Sequence, residues 1–348
     1  LFLGIIICLF FGLNELGGIE KFIELVDKDR LEVVNFEKLG FSNSSKDDEF
    51  GFWPMLIGGF FLYASYYGTD QTQSQRLLSS KNMGTIKKLL FANAVFRFPI
   101  TLTYCIMGLV LGTLFYQDTY FQEMVGSVYS SNISFLEGKK ADLMVPVFII
   151  HYLPSGIIGI LIVAIMSAAM SSLSSTINSL SAVTMEDFVK RYDKDISDKK
   201  YINLSRIISV FWGVLCLFIA LFTGKIEGTV IEVINKIGSV FYGPIIGTFV
   251  LAIMTKKTHS SGANIGILAG VFFNIFLWLS VPDIFWFWWN AIGFFTTFTI
   301  GLLASYFIKG ARKQILKVEY YAEAKDVLKL ILYFFIILIF ALCFPLIF

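Results

Sequence analysis

The sequence predicts an all-α polytopic membrane protein, and three observations lead there. Apolar residues make up 56% of the 348 and charged residues only 16%, below the roughly 25% of a soluble domain, and mean hydropathy is +0.72. Nine apolar segments reach membrane length, about 20 residues each. Lys and Arg collect in alternate loops, as a chain threaded repeatedly through a bilayer requires.

The segments run near 1–16, 51–69, 88–115, 145–182, 204–223, 230–254, 262–281, 285–308 and 327–348. The first is apolar from Leu1 onward, so the chain reads as a fragment that starts inside a span. A polar stretch, "DKDRLEVVNFEKLGFSNSSKDDE", separates it from the second. "DQTQSQRLLSSKNMGT" then leads to the third, which carries Arg97 and Pro99. The fourth is too long for one straight span. Pro154 and Gly156 divide it into a short interfacial helix and a spanning helix. The sixth holds Gly238, Gly243, Pro244 and Gly247, a composition that lets a helix bend. The eighth opens on "FWFWWN" (285–290), read as an aromatic belt at the outer interface. Residues 1–348 are taken as a single transmembrane domain.

Orientation follows from the loop charges. Eighteen basic residues share one side: Arg76, Lys81, Lys87, Lys88, the six from Lys190 to Arg206, Lys256, Lys257 and the six from Lys309 to Lys329. Eight lie on the other: Lys21, Lys28, Arg30, Lys38, Lys46, Lys139, Lys140 and Lys225. The first side is cytoplasmic by the positive-inside rule. Arg97 and Lys236 remain, and both fall inside predicted spans.

Several function classes lose support. Cys8, Cys105, Cys216 and Cys343 sit in apolar runs without metal-ligand spacing, and His151 and His259 are far apart. No phosphate-binding loop, nucleophile elbow or zinc-protease motif occurs, which argues against an enzyme. No basic surface interleaved with aromatics suggests a nucleic-acid partner.

One stretch stands out. After the apolar run "SGIIGILIVAIM" comes "AAMSSLSSTINSLSAVTMEDF" (168–188). On a helix, Ala168, Ser171, Ser172, Ser175 and Ser179 share one stripe, and Ser171, Ser174, Ser175 and Asn178 an overlapping one. Hydroxyls do not line lipid cheaply, so the face looks into a bundle or a wet cavity. Close helix packing is one reading. The other is a site for a small monovalent cation, which takes several uncharged oxygen ligands.

The stretch "MSSLSSTINSLSAVTMEDF" resembles the serine-rich helix of the sodium/solute symporter family. "YYGTDQTQSQRLLSSK" (66–81) looks like that family's signature at the cytoplasmic end of another core helix. "GSVFYGPIIGTFVLAIMTKKTHSSGANIGILAG" resembles its Gly-Pro helix and following loop. The three come in family order. The resemblance implies a LeuT-like inverted-repeat transporter working by alternating access, incomplete here, with the first core helices missing. It implies a sodium site made by the Ala168 carbonyl and the Ser171 and Ser172 hydroxyls. A second sodium at Ser174 and Ser175 is also consistent with it. On the same ground an N-terminally truncated member is not expected to transport by itself.

The resemblance further implies that Tyr66 gates the solute cavity, with Tyr63 and Tyr67 on the same helix. Asp70, Gln71 and Arg76 are expected to cap the helix and form an inner-gate network. Arg97 lies about nine residues into its span, roughly 14 Å deep at 1.5 Å per residue. Lys236 lies about one turn deep, four residues after Glu232, which suits an ion pair. It also stands near where sugar-transporting relatives use a glutamine. Either cation facing the cavity favours an anionic carboxylate solute. The expected function is therefore sodium-coupled uptake of a small organic solute across the plasma membrane, or the inner membrane of a bacterium. The partners are the solute, Na⁺ and lipid. A sugar-type symporter and a symporter-like sensory domain ahead of a signalling module are the alternatives.

Overall fold

The structure is a computed structural model and describes residues 2–41, 50–130, 140–223, 228–256, 258–308 and 323–347. Of the loop cations counted above, Lys46, Lys139, Lys225, Lys257, Lys309, Arg312, Lys313 and Lys317 lie outside the described residues. The chain divides into two compact units, one of 1–31 and 80–233, the other of 32–79 and 234–347.

The first unit opens with α1 (Phe2–Leu16) and α2 (Ile19–Leu25), which meet at 76°. The bend is a glycine-made C-cap. Gly17 and Gly18 take φ of +89° and +108°, open to glycine without strain. Their N–H groups return to Asn14 O at 3.0 Å and Leu13 O at 2.8 Å, satisfying carbonyls the helix end would leave bare. Gly12 lets α1 approach α5 (Met83–Gln117). A Cβ there would stand 3.0 Å from Val110.

Next come α6 (Thr119–Ser130) and α7 (Lys140–Tyr152), then α8 (Ser155–Val183). As expected at Pro154, α7 is a separate short helix and Pro154 is the N-cap of α8. Phe121 and Phe148 fill the space under α6 and α7 and are fully buried. Asp118 begins α6, accepting from Tyr120 N–H at 2.9 Å. Its second oxygen accepts the Tyr152 hydroxyl at 2.5 Å. Burial and this carboxylate push the Tyr152 phenol above its ordinary range. Beyond α8 the chain passes through a π-helical turn (Thr184–Val189) and α9 (Lys190–Tyr192) into α10 (Asp198–Thr223).

The second unit holds α3 (Phe52–Thr69), α4 (Gln71–Leu78), α12 (Ser260–Ser280), α13 (Trp288–Phe307) and α14 (Ala324–Ile347). It also holds most of α11 (Val230–Met254). Small residues four apart bring α12 and α13 together, as is usual between helices in lipid. A Cβ on Gly262 would fall 1.8 Å from Ser305 Oγ, and one on Gly270 2.0 Å from Thr297 Oγ1. Gly243 serves the same end on α11, since a Cβ there would fall 2.1 Å from the Asn290 carbonyl. Gly243 is thus a close-approach residue.

The expected spans are largely present, and one other expectation is corrected. Among the described residues seven helices are long and apolar enough to span, and the bent α1–α2 pair makes an eighth. The ninth expected span is helical as α3, but Gly58, Gly59, Ser65, Gly68, Thr69 and its tyrosines dilute its apolarity. The "FWFWWN" stretch is core and not belt. Phe285, Trp286, Phe287 and Trp289 are buried with Leu62, Val240 and Leu277. Trp288 donates to Leu39 O at 2.8 Å and stacks on Phe41. Burying these rings offers more stabilisation than leaving them at an interface.

Candidate functional site

The serine face divides into two parts. Toward its C-terminal end, α8 packs on α10. Ser179 is 4% exposed and Ser181 1%. Ser181 donates to Ser205 O at 3.1 Å. Thr184 donates to Leu180 O and accepts the Trp212 indole N–H at 2.9 Å. These hydroxyls do what packing predicts.

One to two turns earlier the arrangement differs. Ser171, Ser172 and Ser174 are exposed, while Ala168 and Ser175 are half-buried. The Ser172 carbonyl accepts the hydroxyls of Ser175 and Thr176, both at 3.0 Å. The hydroxyls of Ser171, Ser172 and Ser174 have no hydrogen-bond partner among the described residues. Met166 and Met170 beside them are also exposed. This face of α8 therefore presents uncommitted oxygens in the middle of an apolar helix. Among the described residues no group of three His, Cys, Asp or Glu could hold a metal ion. The oxygens on α8 are uncharged, a donor set suited to a monovalent cation and weak for a divalent one.

In the other unit, the tyrosines form one connected group on α3. Tyr66 and Tyr67 meet edge to face at 5.2 Å, and Tyr63 stacks on Tyr67 at 6.4 Å. Asp70 ends α3 and caps α4, accepting from Gln73 N–H at 2.9 Å. Gln73 then donates its amide to the Tyr66 hydroxyl at 2.6 Å. That bond leaves the Tyr66 O–H free to donate elsewhere. Gln71 and Arg76 are exposed on α4, and the Arg76 carbonyl accepts the Ser79 hydroxyl. The sequence reading named Asp70, Gln71 and Arg76 and missed Gln73. The signal was present: Gln73 is seven residues, two turns, after Tyr66 and at the third position of a helix opened by Asp70.

The two intramembrane cations are not alike. Arg97 is exposed on α5, two residues before Pro99, whose carbonyl accepts the Thr103 hydroxyl. Lys236 is half-buried, its ammonium 5.6 Å from the Trp278 ring centre and 6.0 Å from that of Trp289. Glu232 turns instead to the start of α11, accepting from Thr229 N–H at 2.8 Å. Lys236 therefore rests on aromatic faces, and among the described residues no ion pair joins it to a carboxylate.

Comparison with known proteins adds the following. The model of the "Sodium:solute symporter family" matches residues 1–270. The human sodium-coupled monocarboxylate transporter 1 is 29% identical over 269 residues, covering 76% of this chain and 40% of the transporter. The rabbit sodium-dependent multivitamin transporter is 30% identical over 235 residues, covering 67% and 35%. The chain thus spans less than half the length of these relatives. The substrate-bound outward-open structure of a Na⁺-coupled sialic acid symporter superposes with a TM-score of 0.67 at 20% identity. It covers 90% of this chain and 60% of that one.

Proposed function

Because this chain belongs to the sodium:solute symporter family, we propose that it works as a sodium-coupled symporter importing a small organic carboxylate by alternating access. The observation that carries the reading is the pair of uncommitted hydroxyls at Ser171 and Ser172 on a membrane-length helix. With the Ala168 carbonyl they supply oxygens for one Na⁺, and Ser174 and Ser175 supply them for a second. Na⁺ is cargo here: it travels down its gradient and the solute travels with it. Each ligand raises the other's affinity when both favour the same outward-open state.

The solute side is built from Tyr66, with Tyr63 and Tyr67 behind it. Gln73 fixes the Tyr66 oxygen and leaves its proton as a donor to a solute oxygen. Asp70, Gln71 and Arg76 make the polar inner network where α3 gives way to α4. Arg97 or Lys236 supplies the positive charge that a carboxylate seeks. That two relatives are a monocarboxylate and a multivitamin transporter supports this class of solute. Competition in proteoliposomes carrying this chain within its full-length protein tests it. Sodium-driven uptake of labelled pyruvate should be suppressed by other monocarboxylates and untouched by glucose. Suppression by glucose alone would overturn the carboxylate reading.

A further inference from the structure

We propose that a cleft formed by α2, the turn that follows it and the C-terminal end of α5 is a second binding site, for a small organic monocarboxylate. The cleft lies wholly in the first unit and shares no residue with the serine face. It encloses about 400 Å³ and is lined by Leu25, Asp27, Arg30, Thr113, Tyr116 and Gln117. That is the size of a small-molecule pocket. The loop charges assign this end of α5 to the outer side.

Arg30 is its centre. The guanidinium carbon lies 4.5 Å above the centre of the Tyr116 ring, a cation–π contact that holds the group against the cleft wall. Its ion pair with Asp27 is long, 3.8 Å, and both side chains are substantially exposed. No hydrogen bond among the described residues occupies its N–H groups. Gly112 leaves the backbone bare beneath it, since a Cβ there would stand 3.2 Å from Nη1. The result is a flat fork of donors, held but not satisfied, at the edge of a cleft.

The ligand class follows from the lining. A guanidinium edge matches the two oxygens of a carboxylate. Asp27 sits in the same cleft and repels a second negative charge, so a monoanion is preferred to a phosphate dianion. The Gln117 amide offers a further donor. The Thr113 hydroxyl donates to Leu109 O at 2.9 Å and keeps only acceptor capacity. Leu25 and the Tyr116 ring give an apolar wall for the rest of the solute. Such a site holds the solute at the outer face before it reaches any transport site.

The test is photolabelling of the purified chain with 4-azidobenzoate, in discs of phosphatidylcholine only and in K⁺ buffer without Na⁺. Labelled peptides are then mapped by mass spectrometry. Label is expected in 25–30 and 113–117, removed by excess pyruvate and retained against inorganic phosphate. Arg30→Gln should weaken protection by pyruvate roughly tenfold or more, the worth of a charge-assisted bond. Arg30→Lys, which keeps the charge and loses the fork, should fall between. Circular dichroism checks that both remain helical, and if Arg30→Gln does not, Arg30→Lys decides. Label elsewhere only, or pyruvate protection unchanged in a folded Arg30 variant, overturns the proposal. So does a label that phosphatidylserine in the disc removes and free pyruvate does not, which would make the cleft a lipid-headgroup site.

Discussion

Ser171 and Ser181 occupy the same helix, yet only one has spent its hydroxyl. Ser181 is buried and bonded to α10. Ser181→Ala should therefore lower stability by about 1 kcal/mol, the net worth of a buried hydrogen bond. A chemical or thermal unfolding series measures this, and the response to Na⁺ should be unchanged. Gln73→Leu should leave α4 capped by Asp70 while releasing the Tyr66 hydroxyl. Solute affinity should fall roughly fivefold, about 1 kcal/mol, as read from the concentration dependence of uptake by the full-length protein. Tyr152 allows a prediction in pH. Its phenol is raised by burial and by Asp118. A raised group contributes stability that is complete below its unfolded value, about 10, and is lost as pH climbs through the higher folded value. Ultraviolet titration should show late-ionising tyrosine in the folded protein, and Asp118→Asn should bring part of that late ionisation down. An unchanged titration in Asp118→Asn would remove the carboxylate from the explanation.

At the scale of elements, spacing of small residues matters more than hydropathy. The glycines of α12 have no room for a methyl group: Gly270 faces Thr297 Oγ1 and Gly262 faces Ser305 Oγ. Gly270→Ala should cost about 1–3 kcal/mol through overpacking. Gly108, with nothing within 4 Å, should accept Ala with no loss, or a gain of up to about 1 kcal/mol from helix propensity. Unfolding of the two variants side by side distinguishes them. The same scale shows what the sequence disclosed. The apolar runs placed most helices, and Pro154 placed the break before α8, because both rest on local chemistry. The 285–290 aromatics read as an interface belt, since composition cannot say whether a ring faces lipid or core. The turn into α2 went unread: the Gly17–Gly18 pair is a sharp C-cap, and its signal is two residues long. Gln73 was missed for a related reason. Its amide takes a tyrosine two turns back, whereas a residue at its position usually serves the helix start.

At the scale of the whole molecule, the account joins a family, a fold and an incompletely satisfied helix face. The family is established by a match over most of the chain, and the fold agrees with a solved symporter structure. What turns membership into a mechanism is whether the open serine face takes an ion. Helix α8 presents Ser171 and Ser172 exposed and without a hydroxyl partner among the described residues. The most direct measurement is the thermal stability of the purified protein in Na⁺ against K⁺ at equal ionic strength, for wild type, Ser171→Ala and Ser172→Ala. A ligand that binds the folded state stabilises by RT ln(1 + [L]/Kd), about 2.7 kcal/mol at a hundred times Kd. The account predicts a rise in Na⁺ over K⁺ for wild type that both variants lose. Equal behaviour of Na⁺ and K⁺ in all three proteins, or a Na⁺ response that survives both substitutions, would contradict it.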